Sequence, residues 1–370
     1  MDGRRSALED MEIREALRNT YAGKRVLVTG HTGFKGSWLV QLLHHLGAEI
    51  KGIALAPEAH ALYNQINGDS LCTSVIQNIL DQEKLTRVVR DFQPEFVFHL
   101  AAQAIVRTSY DDPTETWSTN LMGSVNLLEA IRKMTRPCTV VMITTDKVYQ
   151  NLERGMPFLE TDPLGGHDPY SASKAAAELA VASYRSSFFA NAGSPGQQKS
   201  VSSARAGNVV GGGDWSKDRL VPDVIRSLIK GEEIVVRNPD GVRPWQYVLE
   251  PLIGYLQLAM HQYHQPDRFN EAWNFGPTME AHWTVNRVVN WIADKWGGGR
   301  IVVAHDHQKK EAQLLHLRID KAEKLGWKPR LSIEETLAWT TEWYQRTEKG
   351  GESHATITQE QIVRYLDLLV

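Results

Sequence analysis

The chain has 370 residues, 42% apolar and 23% charged, so it can bury a sizeable core and whole-chain disorder is excluded. Its 41 Lys and Arg stand against 44 Asp and Glu, a net charge of −3 that offers no basic excess to nucleic acid or a membrane surface. The 2 cysteines, Cys72 and Cys138, lie far apart and outside any CxxC pattern, which excludes a disulfide scaffold and a zinc-thiolate centre and fits a reducing cytosol.

The length suggests two domains, or one of about 250 residues with a large appendage. No apolar run is long enough to span a bilayer, and the start of the chain lacks the apolar core of a signal peptide. Residues 1–21 read as a polar helical extension, natural or a cloning remnant, set apart from the fold.

Arg25–Thr29 is a short apolar run and predicts a first strand. Glycines follow, then a helix over Ser37–Leu46 and strands at Glu49–Leu55 and Thr73–Ile79. A helix at Gln82–Asp91, a strand at Phe96–Leu100, a long helix at Pro113–Lys133 and a strand at Thr139–Thr144 come next. Tyr170–Ala190 reads as a helix, Asn191–Ser200 as a loop and Val201–Ala206 as a sixth strand. Buried strands alternating with helices imply an α/β chain, a doubly wound parallel sheet with helices on both faces. Beyond Gly207, glycines and prolines punctuate shorter elements and tryptophans become frequent, which reads as a smaller mixed α/β lobe.

Gly30, Gly33 and Gly36 join the first strand to the first helix at G-x-x-G-x-x-G spacing. Such a turn lets backbone approach a pyrophosphate and aims the free N–H groups of a helix start at the anion. An acidic residue at the end of the second strand would select NAD; Ala56 stands there, with Glu58 close and no Arg or Lys for a 2′-phosphate. NAD is therefore expected over NADP.

Tyr170 and Lys174 stand at i and i+4 on one helix face. A cation beside a phenol favours the phenolate, so Tyr170 is expected to take a proton from a substrate alcohol, and Lys174 to hold the nicotinamide ribose as well. Thr144, Thr145, Asp146 and Lys147 end the fifth strand, at the sheet edge where ligands bind.

The glycine triplet, His99-Leu100-Ala101-Ala102-Gln103, the run Asn120–Ala130 and the Tyr170/Lys174 pair together resemble the extended short-chain dehydrogenase/reductase family from about residue 22 to about residue 346. Residues 31–38, 144–149, 205–215, 218–223 and 243–251 are similar to its nucleotide-sugar 4,6-dehydratases, specifically those acting on CDP-glucose. The resemblance implies an NAD-binding Rossmann domain over 22–206, with returning segments around 234–276, and a mainly substrate-binding lobe over 207–370. It implies a cytoplasmic hydro-lyase with tightly bound NAD, regenerated each turnover, and no metal, working toward dideoxy sugars of bacterial surface polysaccharide.

The family chemistry makes Tyr170 the base at the sugar 4-hydroxyl, Asp146 the acid at the departing 6-hydroxyl and Thr145 a partner of the 4-oxygen. Relatives carry Glu as C5 base where this chain has Lys147. A free lysine has a pKa of about 10.4 and abstracts a proton only when neutral, so burial or nearby Lys174 would have to lower it. Lys147 is expected to be the base or to orient one. The cofactor would lie on Gly30, Thr32, Gly33, Phe34, Lys35, Gly36, Asn78, Ile79, Leu100, Ala101, Ala102, Gln103, Thr119, Thr144, Tyr170 and Lys174. Asn78 stands where the family usually has Asp for the adenine amino group, and its amide carbonyl can still accept that bond.

The nucleoside diphosphate and sugar would meet Asn208, Arg219, Leu220, Arg237, Arg243 and Trp245, guanidinium being suited to phosphate oxygens. The family's four-helix interface implies a homodimer through the helices around 113–133 and 170–190, although Leu127, Leu128 and Ile131 could equally be internal core. The rival readings are a 4,6-dehydratase or 4-epimerase for another nucleotide sugar, and a non-catalytic cofactor-binding regulator. Asp146 and Lys147 speak against the epimerase, and intact Tyr170 and Lys174 against the regulator.

Overall fold

The computed structural model describes residues 12–151, 155–189, 198–304 and 315–369. Its centre is a seven-stranded sheet built from β1 (Arg25–Thr29), β2 (Glu49–Ala54), β3 (Thr73–Ile76), β4 (Phe96–His99), β5 (Cys138–Ile143), β6 (Lys199–Ala206) and the strand Ala272–Phe275. From one edge the order is Ala272–Phe275, β6, β5, β4, β1, β2, β3, and every pairing is parallel. β4 and β5 are buried at every position because helices cover both faces, which is why they read as continuous apolar runs. The α/β doubly wound fold expected from the sequence is the fold observed.

Some elements differ from their expected bounds for physical reasons. β6 begins two residues early, at Lys199, which pairs with Cys138 while Ser200 pairs with Thr139. All eight of its residues are buried, and its hydroxyls find partners: Ser202 donates to Gln262 and Ser203 to Glu178. A polar strand with satisfied side chains leaves no apolar signal. The helix expected over 113–133 is interrupted by a π turn at Ser118–Met122, between Pro113–Trp117 and Gly123–Arg132. Gly123 lies against Ile79 there; a Cβ on it would stand 2.3 Å from the Ile79 side chain. The helix from Pro169 runs to Tyr184 and closes in a π turn, Arg185–Phe189. Most of the expected 191–200 loop, and Ala190, lie outside the described residues.

After β6 the chain builds the smaller lobe from short strand pairs and the helices Leu220–Lys230 and Val285–Trp296. Within 234–276, Ile234–Val236 pairs with Ile301–Val303, whereas the helix Leu249–His264 and the strand Ala272–Phe275 return to the large sheet. One apolar core runs through both parts, from Val26 and Trp38 to Tyr247, Trp283 and Trp343. Residues Ile13–Tyr21, polar in composition, belong to the fold: Leu17 and Tyr21 are fully buried, and the Tyr21 hydroxyl donates to the Leu256 carbonyl at 2.7 Å. Residues 1–11 lie outside the described residues. Leu127, Leu128 and Ile131 are fully buried in a second cluster on the opposite face of the sheet, so they are internal core.

A buried polar cluster ties the Pro169–Tyr184 helix to the sheet. Glu178 accepts from Thr144, Ser203 and Arg205, and Arg205 also donates to Tyr149, whose hydroxyl donates to Asn274. Burial pushes the Glu178 carboxyl up, but Arg205, Thr144 and Ser203 together hold it below its ordinary range. The stability it contributes is present above the ordinary carboxyl pKa and is lost as pH falls through the depressed folded value. Removing one partner strands the other, so Glu178→Ala is expected to destabilise the protein by about 3–5 kcal/mol in urea unfolding at neutral pH. A change under about 1 kcal/mol would contradict this account of the cluster.

Candidate active site

β1 and β4 are neighbours, yet the chain winds from them in opposite directions, toward β2 and β3 on one side and β5 and β6 on the other. Loops leaving their carboxyl ends part there and open a crevice. The turn after β1 is tightly constrained. Gly30 has φ +75°, and a Cβ on it would stand 2.7 Å from the Ala101 nitrogen; a Cβ on Gly36 would stand 2.1 Å from the Gly30 carbonyl oxygen. Gly33 differs: a Cβ on it would meet only the Gly30 oxygen, at 3.4 Å, and would otherwise project into open space. The helix Phe34–His45 has no side chain capping its start. Bare backbone and uncapped first-turn N–H groups therefore face the crevice, a fit for a pyrophosphate.

The opposite wall is held by hydrogen bonds. His99 joins Thr29 at 2.7 Å and Ser124 at 3.0 Å, and burial pushes its imidazole down to about 3, so it stays neutral. Asn120 accepts from the Gln103 backbone N–H at 2.9 Å and donates to the Gln103 carbonyl and the Ser173 hydroxyl. This pins the Leu100–Gln103 segment, which explains the runs around 99–103 and 120–124.

A cleft of about 1680 Å³ extends from the glycine turn into the smaller lobe. Its wall includes Gly30, Thr32, Gly33, Phe34, Lys35, Gly36, Asn78, Ile79, Leu100, Ala101, Ala102, Gln103, Thr119, Thr144, Thr145, Lys147, Tyr170 and Lys174. From the other lobe it includes Asn208, Arg219, Leu220, Arg237, Arg243 and Trp245. Of the catalytic, cofactor and substrate residues expected from the sequence, Asp146 alone is not on the wall. Asn78 already accepts a bond from the Leu80 N–H at 2.9 Å, leaving its carbonyl one lone pair for a ligand. Leu55 lines the cleft, and Thr32 donates to its carbonyl at 3.0 Å.

At the end of β5, Thr145 donates to Asp146 Oδ1 at 3.0 Å, and the Lys147 ammonium stands 3.8 Å from the same oxygen. Asp146 is 2% exposed, and a Cβ on Gly207 would lie 3.0 Å from its other oxygen, so the Gly207 backbone packs closely against it. The phenol of Tyr170 is also buried, and burial pushes its pKa up. Lys147 is the strongest opposing cation, followed by a hydrogen bond from Thr145. This corrects the sequence expectation in two ways: the phenol is raised rather than lowered, and the cation facing it is Lys147 rather than Lys174. Lys174 instead donates to the Ile143 carbonyl at 3.3 Å, and burial pushes its amine down to about 8 while Glu178 pulls it up. Burial also pushes Lys35 down to about 7, reinforced by Arg219 and Lys174 and opposed by Asp146.

In the smaller lobe, carboxylates hold the arginines. Arg219 bonds Asp214 at 3.0 Å; Arg237 and Arg107 share Asp218, at 3.3 and 3.5 Å. Arg243 donates to the Val242 carbonyl, and the buried Trp245 indole donates to the Trp283 carbonyl. Sequence reasoning missed Arg107, Asp214, Asp218 and Glu178. Glu178 carried a signal, being four residues beyond Lys174 on the same helix face. Arg107 carried only its place just after the β4 edge.

Gly33→Ala is expected to keep the thermal midpoint and weaken dinucleotide binding in a titration. Gly36→Ala is expected to lower stability by about 1–3 kcal/mol, because backbone would have to shift. Undiminished binding by a folded Gly33→Ala variant would refute the assignment of the turn.

Comparison with known proteins agrees with this geometry. The family profile described as GDP-mannose 4,6 dehydratase matches residues 27–340. The chain is 45% identical over 336 residues to a CDP-glucose 4,6-dehydratase of Salmonella typhimurium, covering 90% of this chain and 94% of the relative. It is 27% identical over 344 residues to a dTDP-glucose 4,6-dehydratase of Xanthomonas campestris, covering 86% and 92%. A Thermus thermophilus UDP-glucose 4-epimerase solved with NAD is similar in structure, with TM-score 0.70, 27% identity and coverage of 86% and 98%. The dTDP-glucose 4,6-dehydratase DesIV of Streptomyces venezuelae shares the fold, with TM-score 0.75, 23% identity and coverage of 90% and 99%. Crevice, glycine turn and Tyr170/Lys174 helix are thus those of the extended short-chain dehydrogenase/reductases, and the chain belongs to the GDP-mannose 4,6 dehydratase family of nucleotide-sugar 4,6-dehydratases.

Proposed function

We propose that this chain is an NAD-dependent hydro-lyase that converts CDP-glucose to CDP-4-keto-6-deoxyglucose and water. The observation that carries the reading is the 45% identity to the Salmonella typhimurium enzyme across 90% of this chain and 94% of that one. The bare Gly33, the uncapped helix start and the Leu100–Gln103 wall fit a dinucleotide. NAD, when bound, supplies the hydride acceptor for sugar C4 and the hydride donor for C6. The cleft residues assigned to it from the sequence would hold it, with Gly33 to Gly36 at its pyrophosphate and Lys174 at its nicotinamide ribose.

The chain's own groups handle the protons. Tyr170 takes the proton of the 4-hydroxyl, and Thr145 holds the 4-oxygen. Oxidation at C4 acidifies C5–H, and Lys147, which must be in its neutral amine form to do so, removes that proton or orients the group that does. Asp146 gives a proton to the 6-hydroxyl, which departs as water. Asp146 and Lys147, 3.8 Å apart, supply an acid and a base to one elimination, a pairing that a 4-epimerase does not need. Arg219, Arg237 and Arg243 would bind the diphosphate, with Asn208, Leu220 and Trp245 completing the pocket. Offered CDP-, dTDP-, GDP- and UDP-sugars, the protein is expected to release water from CDP-glucose by mass detection. Lys147→Ala is expected to lose about 10²–10⁴-fold in rate together with exchange of the C5 proton into solvent. Full turnover and full C5 exchange in that variant would remove Lys147 from the role of base.

We also infer a homodimer through the helices around 113–132 and 169–189. Exposed apolar side chains on them, Trp117, Met122, Leu179 and Phe188, support it. Leu179→Asp is expected to give monomers in sedimentation velocity; an unchanged dimer would move the interface elsewhere.

A further inference from the structure

A carboxylate on the cleft wall is gripped by guanidinium groups from both sides of the cleft. Asp218 lies in the turn just before the helix Leu220–Lys230, and its Oδ1 stands 3.5 Å from an Arg107 nitrogen and 3.3 Å from an Arg237 nitrogen. Arg107 belongs to the helix Val106–Asp111, beyond the Leu100–Gln103 wall on the cofactor side. Arg237 follows the strand Ile234–Val236 of the smaller lobe. The contact therefore crosses the cleft, and all three residues line it.

One oxygen that gathers guanidinium nitrogens from two directions marks a place suited to a phosphate oxygen. The backbone beside it has the same bias. The helix Leu220–Lys230 begins with no side chain capping its start, so its first N–H groups lack helical partners. Two carboxylates reach the arginines of this region, and they differ in hold. Asp214 is 2% exposed, bonds Arg219 at 3.0 Å and accepts the Ser216 backbone N–H at 3.0 Å. The Asp218 contacts are longer than charge-assisted hydrogen bonds usually are. The side chains that make them are 35% exposed for Arg107 and Asp218 and 49% for Arg237, so water screens them. Asp214 is built to stay and Asp218 to yield.

We propose that Asp218 stands in for a phosphate oxygen and that the substrate diphosphate displaces it, which makes Arg107 a diphosphate-binding residue supplied from the cofactor side; the inference rests on the nucleotide-sugar reading above. Before substrate arrives, Asp218 holds Arg107 and Arg237 in place and offsets their mutual repulsion. The diphosphate then takes over both guanidinium groups, because it offers several anionic oxygens against one. No covalent bond changes. A nucleoside or a free sugar brings no charge with which to break the contact, so the contact selects for the diphosphate.

The test uses the full chain loaded with NAD and measures CDP binding by calorimetry. Asp218 has a left-handed backbone, φ +58°, which asparagine also tolerates, so Asp218→Asn removes the charge and keeps both the turn and an oxygen for the guanidinium groups. It is expected to tighten CDP about 2–5-fold. Arg107→Gln is expected to weaken CDP about 10-fold. Cytidine, followed by saturation-transfer NMR, is expected to bind both variants as it binds wild type. Unchanged or weaker CDP binding by Asp218→Asn overturns the proposal. So does an Arg107→Gln variant that keeps its CDP affinity, or that loses cytidine as much as CDP. If Arg107→Gln does not fold, Asp218→Asn decides alone. Wild-type protein that binds no nucleoside diphosphate overturns the proposal as well. Wild-type protein that binds CDP but releases no water from CDP-glucose overturns the dehydratase reading instead, and CDP binding by Asp218→Asn still decides the displacement.

Discussion

A buried phenol and a buried carboxylate, Tyr170 and Asp146, share one end of the sheet with the partly exposed Lys147 ammonium, which stands 3.8 Å from Asp146. Desolvation disfavours the phenolate of Tyr170, so its state depends on the charges around it. Burial raises the Tyr170 phenol, and Lys147 is the strongest force against it. The rest of the molecule keeps this trio at one edge of the sheet. β5 carries Thr145, Asp146 and Lys147 on its carboxyl end, and the Pro169–Tyr184 helix brings Tyr170 over them. The Glu178 cluster then locks that helix to β5 and β6 through Thr144, Ser203 and Arg205.

The cleft is shared by two parts of the chain that are not independent bodies. A single apolar core passes from beneath β1 into the smaller lobe, and Trp38 beside the glycine turn donates to the Gly212 carbonyl. The arginines on the lobe side are oriented in advance by Asp214 and Asp218. Binding an anion there would meet guanidinium groups already ordered, which lowers the entropy lost on binding.

Much of this was legible in the sequence because it is local. Gly36 is required by contacts within one turn and Gly30 by its positive φ, the β1, β4 and β5 runs by burial on both faces, and the Tyr170/Lys174 spacing by helix period. What was not legible is set by contacts between distant segments. Arg107 and Arg237 both pair with Asp218, which no spacing reveals. β6 hides its polar residues among partners from distant elements, Gln262 and Glu178 among them. Helical spacing placed Lys174 beside Tyr170, but its side chain turns to Ile143, and Lys147 from another element faces the phenol. Asp146 was read from its motif, yet its position off the cleft wall depends on how Gly207 packs against it.

The most direct test of this arrangement is the titration of the Tyr170 phenol itself, followed by the phenolate absorbance difference between wild type and Tyr170→Phe in cofactor-free protein. The account predicts ionisation above the ordinary tyrosine range, moved higher by Lys147→Met and far less by Lys174→Met. A phenol that ionises below that range, or one that responds more to Lys174→Met than to Lys147→Met, would contradict it.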